Sequence, residues 1–150
     1  MAWVEKTTVD WAHWDFGSRF VHPVPDSVLK RFQEDQDAFD IRFLEDVLAR
    51  VGEDAEILRH LGHLYTQAGR HRDGLAVDLR LVALNPRDAI AHYNLACSWS
   101  LLGKTSRAVP ALKKAIKLGY RDFDHMREDP DLENLRRDPR WDDLVGVRKS

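Results

Sequence analysis

The chain has 150 residues, of which 43% are hydrophobic and 32% are charged, and its formal net charge is −2. These values are typical of one globular domain with its own core, and the small net charge points to no polyanionic partner. No apolar run approaches the roughly 18 residues of a membrane helix, and a single cysteine, Cys97, excludes an internal disulfide. Because residues 1–10 lack the apolar stretch of a signal peptide, we expect a cytoplasmic protein with no membrane partner.

Charge is distributed unevenly along the chain. Residues 1–54 hold 6 Lys and Arg against 12 Asp and Glu, a net charge of −6. Residues 55–120 hold 10 against 4, a net charge of +6. Faces of opposite sign that pack within one fold explain this asymmetry, and a basic surface for an acidic ligand is the alternative. No nucleic-acid motif accompanies the basic residues, so we expect no nucleic-acid partner.

Residues 1–25 are predicted to form an irregular arm that is rich in aromatic side chains. Gly17 and the sequence Pro23-Val24-Pro25 indicate loops, and a disordered tail would seldom hold so many aromatic residues. We expect the arm to pack on its own helical body, across or beside the groove described below. The alternative is an aromatic surface that docks on another chain. The candidate docking residues are Trp3, Trp11, Trp14, Phe16 and Phe20.

Residues 26–54 are predicted to form a degenerate pair of helices. The segment from Asp26 to Asp35 follows Pro25, and a second segment from Asp37 to Val51 has apolar residues at helical spacing. This pair would cover the first regular repeat, as an atypical terminal unit does in a helical array.

Residues 55–120 contain a repeat with a period of 34 residues, which gives units at 55–88 and 89–120. Each unit is predicted to be two helices, with Gly69 and Gly103 ending the first helix of each unit. Asp88 and Thr105 are candidate caps for the helices that follow them. Small residues such as Gly62 let the partner helix approach closely, and Tyr65 and Trp99 should fill the space between pairs.

This pattern resembles the tetratricopeptide repeat. The residues that carry the resemblance are Leu58, Leu61, Gly62, Tyr65, Gly69, Gly74, Leu81 and Pro86 in the first unit, and Asn94, Leu95, Ala96, Trp99, Gly103, Ala108 and Ala115 in the second. The resemblance implies an all-α fold of antiparallel helix pairs stacked as a short solenoid. Three departures are Asp78 at a position that is usually apolar, Pro110 inside a helix, and Gly119-Tyr120 in place of the closing Asn-Pro.

Residues 121–150 are predicted to form C-terminal capping helices. The pairs Asp129-Pro130 and Asp138-Pro139 are each a helix-start signature. This tail is similar to the Asp-Pro-rich segment that closes many small bacterial tetratricopeptide proteins, which implies a structural role.

The resemblance implies that the first helix of each pair lines a concave groove that binds a partner peptide or helix. Asn94 matches the family's asparagine that hydrogen-bonds the backbone of a bound peptide. The predicted groove residues are Arg59, His60, His63, Gln67, Tyr93, Asn94, Cys97 and Leu101. Arg59 is the only groove cation among them, which makes a clamp for a C-terminal carboxylate doubtful.

No catalytic motif or cofactor motif emerges from the sequence, so we expect no enzyme activity and no cofactor. The function we expect is that of a non-catalytic adaptor or scaffold. One alternative is a structural subunit that docks or self-associates through its aromatic arm. A weaker alternative is a metal-binding or enzymatic protein that uses His60, His63 and Cys97.

Overall fold

Helices dominate the part of the chain that the structure describes, residues 25–146. In this computed structural model about 80% of those residues are helical and none lies in a β-strand. The elements are α1 (Asp26–Val51), α2 (Ala55–Gln67), α3 (His71–Leu84), α4 (Ala89–Leu101), α5 (Thr105–Lys117), α6 (Phe123–Glu128), a 3₁₀ turn (Pro130–Leu132), α7 (Glu133–Arg136) and α8 (Trp141–Val145). The predicted all-α class is confirmed. The five aromatic residues of the predicted arm lie outside the described residues.

Consecutive helices pack against each other, so that α2 with α3 and α4 with α5 form two antiparallel pairs. α3 also packs on α4, which stacks the two pairs into a short α-solenoid-like array. One buried cluster joins α1, α2 and α3 with Ala91 of α4, and a second joins α4, α5 and the C-terminal tail. Within residues 25–146, α4 therefore packs against α3, α5 and the tail.

The segment 26–54 differs from its prediction, because it holds one continuous helix rather than a pair. No proline or glycine interrupts α1 between its first and last residues. The polar stretch at its middle is held within the helix by side-chain hydrogen bonds one turn apart. Gln33 donates to Asp37 and Gln36 donates to Asp40, each over 2.8 Å.

Each helix pair ends its first helix in the same way, as the repeat predicts. Gly69 and Gly103 have φ angles of 70° and 69°, in the left-handed region that glycine favours. The N–H of Arg70 then donates back to the carbonyl of Tyr65 over 2.8 Å, and the corresponding bond in the second pair has the same length. The 34-residue period is therefore present in the backbone geometry.

The helix starts follow the sequence at Asp88 but not at Thr105. The Asp88 carboxylate accepts hydrogen bonds from the backbone N–H groups of Ile90 and Ala91, and caps α4 as predicted. α5 begins at Thr105 itself, and the preceding residue, Lys104, makes no side-chain capping bond. Thr105 is thus the first helical residue and not the cap.

Close helix contacts explain the small residues of the repeat. A Cβ atom added at Gly62 would lie 3.5 Å from Cγ2 of Val77 and 3.2 Å from Oδ1 of Asp78, both on α3. Tyr65 is buried in the first cluster as predicted, whereas Trp99 is only partly buried at the edge of the second. The Trp99 ring also holds the guanidinium of a neighbouring arginine 5.1 Å from its centroid.

The first Asp-Pro pair of the C-terminal tail starts a helical turn at Pro130 as predicted, whereas the second precedes a turn and α8 begins only at Trp141, without a side-chain cap. Asp129 accepts from the N–H of Asp131, and Asp138 accepts from the N–H of Arg140. The tail packs on α4 and α5 through a group of buried apolar residues. That group is Met126, Leu132, Leu135, Trp141 and Val145. Within residues 25–146 no helix is both long enough and apolar enough to cross a membrane.

Candidate functional site

A pocket of about 280 Å³ opens on the face formed by α2 and α4, the first helices of the two pairs. We call it the groove pocket. It is lined by Arg59, Gly62, His63 and Thr66 of α2, Asp78 of α3, Tyr93, Asn94, Cys97 and Ser98 of α4, and His125, Asp129 and Asp131 of the tail. Its volume lies just below the roughly 300–1,000 Å³ of typical small-molecule sites, so it has room for about one side chain.

The structure brings together five of the eight predicted groove residues and separates the other three from the pocket. Those that line it are Arg59, His63, Tyr93, Asn94 and Cys97. Those that do not are His60, Gln67 and Leu101. His60 and Gln67 are exposed elsewhere on α2, and Leu101 lies at the last position of α4.

Arg59 ties α2 to the start of α4. Its Nη2 lies 3.0 Å from Oδ2 of Asp88, the residue that caps α4. Its Nη1 pairs with Glu56 one turn earlier on α2. The guanidinium is therefore already held by two carboxylates outside the pocket.

Asp129 is the central acceptor of a buried network at the tail side of the pocket. The Tyr93 hydroxyl donates to its Oδ2 over 2.6 Å, and the Cys97 thiol lies 3.8 Å from the same oxygen. Nε2 of His125 lies 3.4 Å from it, and its other oxygen accepts from the N–H of Asp131 over 2.9 Å. These bonds fix the tail against α4 and satisfy a carboxylate that is only 8% exposed.

The groups of this network that could act as nucleophiles are held in their neutral forms. Burial, and then the neighbouring Asp129 carboxylate, raise the pKa of the Cys97 thiol well above its usual value. Burial, and then Cys97, raise the pKa of the Tyr93 hydroxyl. Thiolate and phenolate are the reactive forms of these groups, so the environment works against nucleophilic chemistry.

Asp78 is the residue that α3 contributes to the pocket lining. This residue is 5% exposed, and its Oδ2 accepts a hydrogen bond from the Ser98 hydroxyl over 2.5 Å. Burial raises the pKa of Asp78 to about 6, and the Ser98 bond only partly opposes that shift. A carboxylate thus stands where the repeat pattern calls for an apolar side chain.

Asp131 adds a third carboxylate, which is partly buried. Burial, and then the neighbouring Asp129, raise its pKa, while His71, His63 and His125 act in the opposite direction. The pocket is therefore rich in carboxylate groups, although residues 55–120 are basic overall.

The arrangement does not favour the metal hypothesis for His60, His63 and Cys97. His63 and Cys97 share the pocket as expected, but His60 lies outside it. Among the described residues, no group of three or more His, Cys, Asp or Glu side chains converges as a metal would require.

Sequence reasoning missed the residues that the tail and α3 contribute to the pocket. The signal for Asp78 was its departure from the apolar repeat pattern. Asp129 was interpreted as a helix cap, which it is, and nothing local indicated that its second oxygen meets Tyr93, 36 positions earlier in the chain.

Comparison with known proteins finds a similarity that covers part of the chain. No model of a known protein family matches the chain. The chain is similar to a chloroplastic protein of Arabidopsis thaliana, with 44% identity over 61 residues. The matched segment is 40% of this chain and 18% of that protein, so the chain spans less than a fifth of its relative.

Proposed function

We propose that the protein is a non-catalytic adaptor of the tetratricopeptide type, which binds a segment of a partner protein in the groove between α2 and α4. The observation that carries this proposal is the groove pocket, which opens between the first helices of two stacked pairs. The pocket combines a small volume with polar groups from three directions, as a site that fixes the orientation of one bound side chain requires.

The tetratricopeptide assignment is supported by the period of the backbone as well as by the residues. The two units share a glycine in the left-handed region 34 positions apart, and each buries a small residue where the helices of a pair meet. Asn94 lines the pocket at the position where the resemblance places the asparagine that binds a peptide backbone.

The lack of catalytic activity is part of the proposal. The buried thiol and hydroxyl of the pocket are disfavoured as nucleophiles because their pKa values are raised. A cytoplasmic location is also part of the proposal, since an unpaired buried cysteine suits a reducing compartment.

Affinity capture from the native lysate, followed by mass spectrometry, tests the adaptor function. The bait is the full chain, compared with Asn94→Ala in the pocket and with Lys113→Ala on the exposed side of α5. We expect the wild type and Lys113→Ala to recover the same protein, and Asn94→Ala to recover much less of it. Equal recovery by all three baits, or no specific recovery at all, would count against a groove that binds a partner.

A structural subunit is the second candidate, and one observation favours it. Several large apolar residues of α1 are exposed, among them Phe32 at 70% and Phe39 at 58%. The solution mass of the purified chain separates the two functions. An adaptor should be monomeric by itself, whereas a structural subunit that docks through this region should self-associate.

A further inference from the structure

We propose that the groove pocket receives one basic side chain, a lysine or an arginine, from the bound partner segment. This inference rests on the proposed function, because it names the part of the partner that enters the pocket. It depends on the charge of the pocket lining, on its size, and on a buried carboxylate that the fold itself leaves without a counter-ion.

Asp78 is the buried carboxylate of the pocket that lacks a counter-ion among the described residues. It is almost fully buried, one of its oxygens accepts from Ser98, and the other lies beside Gly62. Within residues 25–146 no cation forms an ion pair with this carboxylate, and no neighbouring charge offsets the effect of its burial. Burying a carboxylate with a single hydrogen bond is unfavourable. A stabilising role for Asp78 does not explain this arrangement, whereas a role in binding does.

The tail supplies two further carboxylates to the pocket lining. Asp129 is satisfied by Tyr93 and by the N–H of Asp131, but its charge is not neutralised by a lysine or an arginine side chain in an ion pair among the described residues. The Asp131 carboxylate lies beside it and also lines the pocket. Three like charges that face one small space repel each other, and a cation between them would relieve that repulsion.

The one arginine of the pocket lining, Arg59, is already paired with carboxylates. Arg59 pairs with Glu56 and with Asp88, so its charge is balanced by groups outside the pocket. The nitrogen-bearing rings of the lining are the imidazoles of His63 and His125, and Nε2 of His125 lies 3.4 Å from Oδ2 of Asp129. The charges of the lining that are available to a bound side chain are therefore the negative charges of Asp78, Asp129 and Asp131.

The volume of the pocket and the arrangement of its side chains indicate which kind of cation fits. No group of the described residues is arranged to hold a metal ion. A volume of about 280 Å³ is small for a free organic ligand but has room for a side chain. A lysine or arginine brings its charge on a flexible apolar stem, which lets a segment bound along the groove place it in the pocket.

Peptide selection on the purified full chain tests this inference. The probe is a library of random peptides about twelve residues long, selected in parallel on the wild type, on Asp78→Asn, and on Asp46→Asn. Asp46 is an exposed carboxylate of α1, so its variant makes the same change of charge away from the pocket. Asparagine at position 78 keeps an oxygen for Ser98, and a thermal melt checks that this variant is folded.

We expect the wild type and Asp46→Asn to select peptides with a lysine or an arginine at one fixed position, and Asp78→Asn to lose that preference. For one selected peptide, replacing the basic residue with norleucine should weaken binding to the wild type at least about tenfold. The same replacement should change binding to Asp78→Asn by much less, because the two changes remove one interaction.

The outcomes that would overturn the inference are distinct from those that would overturn the proposed function. Peptides that bind the wild type without any basic preference, or a preference that Asp78→Asn retains, would refute the basic side chain and leave the groove intact. Failure of the wild type to select any peptide would contradict the proposed function and this inference with it.

Discussion

Among the helices of the described chain, α4 and α1 differ most in the fraction of their residues that is buried. Eight of the 13 residues of α4 are buried, because α3, α5 and the tail surround it. Only Ile41 and Leu48 are buried among the 26 residues of α1, which packs mainly on α2. The comparison shows that the buried fraction of these two helices follows the number of elements packed against each and not its length.

Four of the large apolar residues that are exposed on α1 form a group. Leu29, Phe32, Phe39 and Phe43 are spaced by three, seven and four positions, which places them along one side of a helix. We call this side the α1 apolar face. The rings of Phe39 and Phe43 stack with their centroids 6.4 Å apart. Contiguous apolar surface of this kind is usually covered by another chain or segment.

The largest effect is expected from truncating a side chain of α4. Leu95→Ala removes a side chain that is 8% exposed and should destabilise the fold by about 2–5 kcal/mol, through lost burial and the cavity left behind. The matched control is Leu79→Ala on α3, where the leucine is 45% exposed and the cost should be below about 1 kcal/mol. Urea denaturation measures both values, and similar costs would contradict the difference in burial.

The next largest effect on stability is expected at Asp78, which accepts a hydrogen bond from Ser98 of α4. Because burial raises the pKa of Asp78 from 3.8 to about 6, the folded chain binds a proton more readily than the unfolded chain does. Stability from this group is therefore greatest below about pH 4, falls as the pH rises to about 6, and stays lower above it. Other charged or titratable groups that line the same pocket are Arg59, His63, Tyr93, Cys97, His125, Asp129 and Asp131.

Asp78→Asn isolates this contribution. At about pH 7.5 the variant should be more stable than the wild type by up to about 3 kcal/mol, since two pKa units correspond to roughly that free energy. The difference should vanish near pH 4. Thermal melts of both proteins from about pH 4 to pH 8 measure it, and a variant that is less stable than the wild type at every pH would show that Asp78 has a structural role instead.

A smaller effect is expected from removing residues 1–24, which precede the α1 apolar face directly in the chain. These residues include Trp3, Trp11, Trp14, Phe16 and Phe20, which the sequence predicts to pack on the helical body, across or beside the groove. Their deletion should lower stability by about 1–2 kcal/mol and increase the binding of a hydrophobic dye.

The control for the deletion keeps the aromatic residues and removes charge. Replacing only Asp10 and Asp15 with asparagine should change stability and dye binding much less, because exposed charges contribute little singly. If the deletion leaves both readouts unchanged, residues 1–24 do not pack on the helical body, and the structural-subunit function becomes the better account.

The features that the sequence could predict are those that depend on a few neighbouring residues. Asp88 caps α4, Gly69 and Gly103 end the first helix of each pair, and Asp129-Pro130 starts the first turn of the tail. Each of these bonds joins residues at most five positions apart. The break predicted within α1 was wrong for a related reason. The two predicted segments meet at residues 35–37, and the hydrogen bonds from Gln33 to Asp37 and from Gln36 to Asp40 run across that junction within one helix.

The groove pocket was only half predictable, because its two walls come from distant parts of the chain. The residues of α2 and α4 follow from the repeat, which fixes the side of each helix that faces the groove. The meeting of Asp129 with Tyr93 depends on how the tail folds back over α4, and no local pattern encodes that path. Asp78 was noticed as a departure, yet its meaning emerged only when the structure placed it against Ser98.

The most direct test of the groove as the binding surface is an amide NMR titration of the full chain with a selected peptide. We predict that the largest shift changes fall on the pocket lining, at Arg59, Asn94 and Asp131, and that residues 29–43 of α1 remain unchanged. Changes centred on Phe32, Phe39 and Phe43, with the pocket unaffected, would contradict this account and identify the α1 apolar face as the binding surface.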